Sequence, residues 1–192
     1  GTQQADVKSA RSMEMPLPVQ RPPQPPDPAR RAALLTLLAA AAGTGCNSRP
    51  PAPSFAYTLL DGARGRTDSL RGKVLLVNFW ATTCAACIRE MPALAALHRQ
   101  YEARGLATLA VSMRLDPPAA VADFAEQRGL PFGIVIDNTG AIARAFPDLQ
   151  ATPTTYVVDK RGAIARRYVG EPDFPALQAL VEALLAEGPA AA

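Results

Sequence analysis

Cys84 and Cys87 stand in the run Cys84-Ala85-Ala86-Cys87, and that spacing brings two sulfurs within reach of each other. On a helix they face one another across one turn, so a disulfide between them can open and close. The run follows an apolar stretch that reads as a strand and begins a stretch that reads as a helix. Cys84 therefore falls at a helix N-terminus, where unpaired N–H groups and the macrodipole favour a thiolate. A thiolate there attacks a foreign disulfide, and Cys87 then resolves the mixed disulfide. Two other uses of the pair stay open on spacing alone. A zinc half-site needs two further ligands. His98 lies three turns along the same helix and Cys46 lies far upstream beyond a Pro-rich stretch. A structural staple closing four residues contributes only about 2 kcal/mol in the chain-entropy account. Glu90 follows Cys87 by three and shares its helical face. Partly buried, its carboxyl would have a raised pKa and could exchange protons with Cys87 near neutrality; otherwise it is a solvated helix charge.

The elements that position these residues follow from hydrophobic period. Phe55, Tyr57 and Leu59 alternate with smaller or polar residues and predict an edge strand ending at Asp61-Gly62. Val74 to Phe79 is apolar except for Asn78, as a buried central strand should be. Ala85 to about Arg104 predicts a helix with Leu94, Leu97 and Tyr101 inside and Pro92 as a kink; His98 is expected on its surface. A strand over Leu106–Ser112, a helix ending at Gly129, a strand over Phe132–Ile136 and a short helix over Ala141–Phe146 follow. Thr155–Val158 and Ala163–Val169 predict a hairpin around Lys160-Arg161-Gly162. Phe174 and the leucines after it mark a closing amphipathic helix. Strands alternating with helices and ending in a hairpin point to a three-layer α/β sandwich.

Composition bounds the rest. The 192 residues are 48% hydrophobic and 19% charged, enough apolar content for one packed core. No apolar run reaches the roughly 18–20 residues needed to span a bilayer, which excludes a polytopic membrane protein. Setting aside the five Lys/Arg and three Asp/Glu of residues 1–45 leaves 15 basic against 14 acidic residues, so no nucleic-acid partner is expected. Prolines clump at Pro16–Pro28 and again at Pro50, Pro51 and Pro53, and both clumps are expected to be extended and unpacked. The expected organisation is an N-terminal Pro-rich export segment over 1–46 and a Pro-rich linker over 47–53. A folded domain over 54–187 and a flexible tail over 188–192 complete it. Arg30-Arg31 precede an apolar stretch from Ala32 to Ala42, and Gly43-Thr44-Gly45-Cys46 follow. This segment resembles a bacterial lipoprotein signal, which implies lipid attachment at Cys46 and anchoring of the chain to a membrane. An ordinary secretory cut after Ala40-Ala41-Ala42 or a short buried helix would use the same residues.

The run Phe79-Trp80-Ala81-Thr82-Thr83-Cys84-Ala85-Ala86-Cys87-Ile88-Arg89-Glu90-Met91-Pro92 is similar to the active-site signature of thioredoxin-fold proteins. It resembles more closely the TlpA/ResA-like exported disulfide reductases. The resemblance covers about Ser54 to Ala186 and implies an αβ insertion near Pro117–Ile136 and an extra N-terminal strand. It marks Thr152-Pro153-Thr154 as the cis-proline loop, with the backbone of Thr152 exposed to pair with an extended substrate. It also places Glu90 where the ResA-like branch has its glutamate. Trp80 is expected to pack beside the site as a partner-contacting surface, or otherwise to belong to the core. Two positions depart from the pattern. Thr83 stands where Trp is common, and Asn78 stands where thioredoxin has an Asp that could serve as a base for Cys87.

What the resemblance implies is reduction of disulfides in exported client proteins, such as apocytochrome c haem-attachment cysteines or copper-site cysteines of oxidase subunits. Reducing power would come from a membrane thiol transporter of the DsbD/CcdA kind, at the periplasmic or extracytoplasmic face of the cell envelope. No cofactor and no metal is expected. The inner pair Ala85-Ala86 brings no His or charge towards Cys84, which itself argues for a donor of electrons rather than a strong oxidant. Three rivals remain. A thiol peroxidase of the same fold would want a Pro upstream of Thr-x-x-Cys. A copper-delivery module would want a longer cysteine spacing and a distant His. An oxidase or isomerase would differ in reduction potential.

Overall fold

The computed structural model describes residues 49–188, so the export segment over 1–46 and Cys46 lie outside the described residues. A five-stranded sheet forms the centre, in the order β5-β4-β3-β6-β7. Its strands are β3 (Val74–Trp80), β4 (Leu106–Ser112), β5 (Gly133–Ile136), β6 (Thr154–Val158) and β7 (Ile164–Val169). β3, β4 and β5 run parallel, whereas β6 pairs antiparallel with both β3 and β7. All seven residues of β3 are buried, which is why its sequence is an apolar run rather than an alternation.

Alternate residues of β3 enter two cores. Val74, Leu76 and Trp80 face α1 (Ala85–Tyr101), α2 (Pro118–Arg128) and α4 (Phe174–Ala186), through Met91, Leu94, Val121, Leu177 and Val181. Leu75, Val77 and Phe79 face a thinner layer made by α3 (Ala141–Ala145) and the N-terminal segment. There Phe55 and Phe79 meet Phe146 edge to face, with centroids 5.8 Å and 5.0 Å apart, Phe79 meets Tyr156 in the same way, and Phe146 packs tilted on Tyr156. The architecture is the three-layer thioredoxin-like sandwich that the alternating elements imply. α2 and β5 fall within Pro117–Ile136, and β5 takes one edge of the sheet.

Three expectations need correction. First, the N-terminal strand is not an edge of the main sheet. β1 (Ala56–Thr58) pairs antiparallel with β2 (Arg64–Arg66) in a sheet of two strands, and only Leu59 bridges to Val135 of β5. β2 reads Arg-Gly-Arg and carries no apolar signal. Its Gly65 is required by packing, because a Cβ there would sit 2.5 Å from the Tyr57 ring.

Second, the Pro-rich linker over 47–53 does not stay clear of the domain across its described residues. Ile164 donates to the Pro50 carbonyl at 2.7 Å and Ala52 donates to Gly162 at 2.9 Å. Arg49 donates to Asp159 at 2.9 Å and to Glu187 at 3.1 Å. Proline lacks an N–H, yet its carbonyl still accepts, and the charge pairs hold the segment down.

Third, His98 is buried. It lies on the same stripe of α1 as Leu94 and Tyr101, with Nδ1 3.1 Å from Thr108 Oγ1 and its ring edge-on to Phe132. Burial lowers its pKa, against the opposing pull of Glu102, whose carboxylate is 3.3 Å from Nε2.

Asp159 is the polar anchor of this end of the molecule. It is almost wholly buried and accepts from the N–H groups of Arg161 and Ala163 as well as from Arg49 and Arg161 side chains. Burial alone would raise its pKa, but these donors outweigh it and hold the carboxyl below its ordinary value. Its contribution is therefore present at neutral pH and lost as the pH falls through the depressed pKa. Asp159→Ala should cost about 3 kcal/mol in urea unfolding at neutral pH, because it strands buried donors. The gap to the parent protein should close below about pH 4; a gap constant with pH would mean the carboxylate charge is not what holds the turn.

Candidate active site

The antiparallel register of β3 on β6 assembles the site. Phe79 pairs with Thr154 and Asn78 with Thr155, so the end of β3 and the start of β6 meet at one pole. Cys84 follows β3 after a short turn and is the N-cap of α1. Its Sγ accepts from the Cys87 N–H at 3.2 Å, satisfying one of the orphan donors of the helix start. Facing it, the Thr152–Pro153 peptide is cis, and the Thr152 carbonyl oxygen lies 3.6 Å from Cys84 Sγ. Gly170 N–H donates to the Pro153 carbonyl at 2.8 Å and ties that loop to the end of β7.

Cys84 and Cys87 are joined as a disulfide with Cα atoms 5.2 Å apart. The two sulfurs are not equivalent. Cys84 is half-buried and reachable, whereas Cys87 is fully buried in the α1 core. An accessible sulfur at a helix N-terminus and an enclosed one a turn further on suit attack and resolution respectively.

Glu90 lies beneath the pair and is 1% exposed. Asn78 donates through Nδ2 to Glu90 Oε1 at 2.7 Å and to Thr155 Oγ1 at 3.0 Å. Glu90 Oε2 and Asn78 Oδ1 are both buried without a partner. Burial raises the Glu90 pKa to about 7, with the Asn78 hydrogen bond acting against it and the charge of Glu171 acting with it. This carboxyl is therefore a buried group with its pKa raised towards neutrality and not a solvated helix charge.

The structure brings together Cys84, Cys87, Thr152 and Pro153, and sets Glu90 behind them. It does not bring Trp80 to the surface. Trp80 is fully buried, packs on Phe124 of α2 with centroids 5.1 Å apart, and has its indole N–H without a partner. The expectation that it contacts partners is corrected: the α2 layer covers that face of β3. Sequence reasoning missed Asp116. This buried carboxylate accepts from both the N–H and the hydroxyl of Thr82, each at 2.8 Å, and braces the turn that presents Cys84. Its link to Thr82 spans 34 residues, so no local spacing announces it.

Residues 49–167 match the AhpC/TSA family. Among curated relatives, the thiol-disulfide oxidoreductase ResA of Geobacillus kaustophilus is 41% identical over 95 residues, covering 50% of this chain and 54% of the relative. The chain thus spans about half the length of the curated relatives it matches. Among solved structures, a candidate thioredoxin from Neisseria meningitidis superposes with a TM-score of 0.68 at 34% identity, covering 74% of this chain and 95% of that one. A thiol:disulfide interchange protein of the thioredoxin family from Chlorobium tepidum gives 0.66 at 26% identity, covering 72% and 97%.

The raised Glu90 pKa has a consequence for stability that needs no assumption about turnover. A carboxyl whose pKa is higher folded than unfolded stabilises the fold while protonated, and the benefit is lost as pH rises from the unfolded value through about 7. Glu90→Gln mimics the protonated form. The oxidised variant should match the parent near pH 5 and exceed it by about 3 kcal/mol near pH 9, in denaturant unfolding. Parallel profiles for the two proteins would show that Glu90 ionises without penalty.

Proposed function

The chain belongs to the AhpC/TSA family, and from that premise we propose that it is a TlpA/ResA-like thiol-disulfide oxidoreductase that reduces disulfides in exported proteins. The observation that carries this reading is the unequal burial of the two sulfurs, with the open one at a helix N-terminus beside the Thr152 carbonyl.

In the reduced protein, the Cys84 thiolate attacks one sulfur of a client disulfide. The client S–S bond breaks, a Cys84–client bond forms, and the departing client thiolate takes up a proton. Cys87 then gives up its proton and attacks Cys84, which releases the second client thiol and leaves the Cys84–Cys87 disulfide. Two electrons and two protons have passed to the client. Glu90, one helical turn from Cys87, supplies the carboxylate that accepts the Cys87 proton, in place of the base that Asn78 cannot be. The Thr152 backbone at the cis-Pro153 turn holds the client strand against Cys84.

The oxidised pair must be reduced again. A membrane dithiol carrier of the DsbD/CcdA kind is the electron donor that fits an exported reductase. Clients with paired cysteines awaiting haem or copper, such as apocytochrome c or oxidase copper-site subunits, are the acceptors. Lipid attachment at Cys46 would keep the domain at the extracytoplasmic side of a membrane. The absence of His or charge between the cysteines supports a donor role. A copper-delivery role finds no support at His98, which is enclosed between Thr108, Phe132 and Glu102.

Cys87→Ser should accumulate client proteins as mixed disulfides on Cys84, whereas Cys84→Ser should trap none. A measured reduction potential near about −120 mV, that of a strong oxidant, would contradict the donor role, and steady peroxide turnover would favour the peroxidase alternative. Glu90→Gln should slow exchange roughly 10- to 100-fold and flatten its dependence between about pH 5 and pH 9. An unchanged pH profile would remove Glu90 from proton transfer.

A further inference from the structure

Beside Cys84 the surface is hollowed, and the hollow has two parts of different chemistry. The first, of about 470 Å³, opens between Thr83 and Thr152 and is walled by Ala81, Met113, Leu115 and Leu149. Leu115 is 82% exposed and stands at the rim of this apolar trough. The second part, of about 240 Å³, shares Met113, Arg114 and Leu149 with the first and ends at Arg144.

Arg114 and Arg144 both border Gly140, whose φ is +71°. A Cβ on Gly140 would lie 3.0 Å from Arg144 Nη1 and 3.3 Å from Arg114 Cδ, so the glycine leaves room for both side chains beside it. Among the described residues neither guanidinium has an acidic partner within ion-pair distance. The nearby carboxylates are already engaged. Asp116 takes both Thr82 donors, Asp137 accepts from Ala143 N–H, and Asp148 pairs with Arg167. Arg144 Nη1 donates to the Thr139 carbonyl at 3.0 Å, which leaves its charge uncompensated; two such cations lining one hollow raise the local potential, and a visiting carboxylate relieves it. The guanidinium fork suits a carboxylate better than an ammonium would.

We propose that this groove selects clients by charge: it takes an extended segment whose cysteine is flanked by an apolar side chain and, further on, by a carboxylate. The apolar residue fills the trough at Leu115 and Leu149, and the carboxylate meets Arg114 and Arg144. The inference rests on the reductase reading and gives its clients a chemistry.

The test uses the reduced full chain and three mixed disulfides of one Cys-Leu peptide with thionitrobenzoate, differing only in a Glu, Gln or Lys beyond the leucine. Each turnover releases the peptide thiol and the coloured thionitrobenzoate while the protein dithiol becomes the disulfide. The Glu peptide should react about tenfold faster than the Lys peptide at low salt, with the ratio shrinking as salt rises. In the double variant Arg114→Gln, Arg144→Gln, both on exposed side chains, the ratio should fall towards one. Equal rates in the parent protein, or a ratio that survives in the double variant, would overturn the selection. Exchange with oxidised glutathione but no order among the peptides defeats this inference alone. No exchange with any disulfide defeats the reductase reading and the selection together.

Discussion

The pairing of Asn78 with Thr155 across β3 and β6 is the constraint on which the site depends. It points Asn78 into the α1 face, where one amide group bridges Glu90 and Thr155. It also fixes which residues of the two strands come to an end side by side, and so places Cys84 against Thr152. A slip of one residue would turn every side chain of β3 to the opposite face. Glu90 would lose the side-chain hydrogen bond that Asn78 donates, and the sulfur would face a different part of the loop. The core and the chemistry are thus specified by the same register.

That register also explains why the two cysteines differ so sharply. Cys84 caps α1 at its exposed tip, while Cys87 has already turned inward with Met91 and Leu94. Cys84 is the extended N-cap residue outside the first turn, whereas Cys87 lies one turn further in, under the packed layer, and that step along the axis makes the difference in access. Behind them, the carboxyl of Glu90 has no partner for one oxygen. Burial of that acid raises its pKa towards neutrality, well above the ordinary carboxylate range.

Much of this was legible in the residues. The bounds of β4, the cap at Gly129 and the hairpin around Gly162 follow from apolar runs and turn residues, because those signals are local. The cysteine pair, Glu90 and Pro153 were legible through their spacing and their resemblance to a family signature. Trp80 was misplaced because a strand buried on both sides shows no alternation from which to tell its faces apart. His98 was misplaced because polarity was weighed above its position on the Leu94–Tyr101 stripe. Asp116, the Arg64–Arg66 strand and the docking of Arg49 depend on partners far along the chain, and no local pattern encodes them.

Arg49 and Pro50 join the body of the protein at the turn around Asp159, where β3 begins; the sulfurs sit where β3 stops. Seven residues of strand separate the two ends by about 23 Å. Any tether acting through the polypeptide upstream therefore grips the heel of the molecule and leaves the toe free to swing. Lengthening or shortening that leash would change how far the cysteines can travel without altering the surface on which they meet their targets.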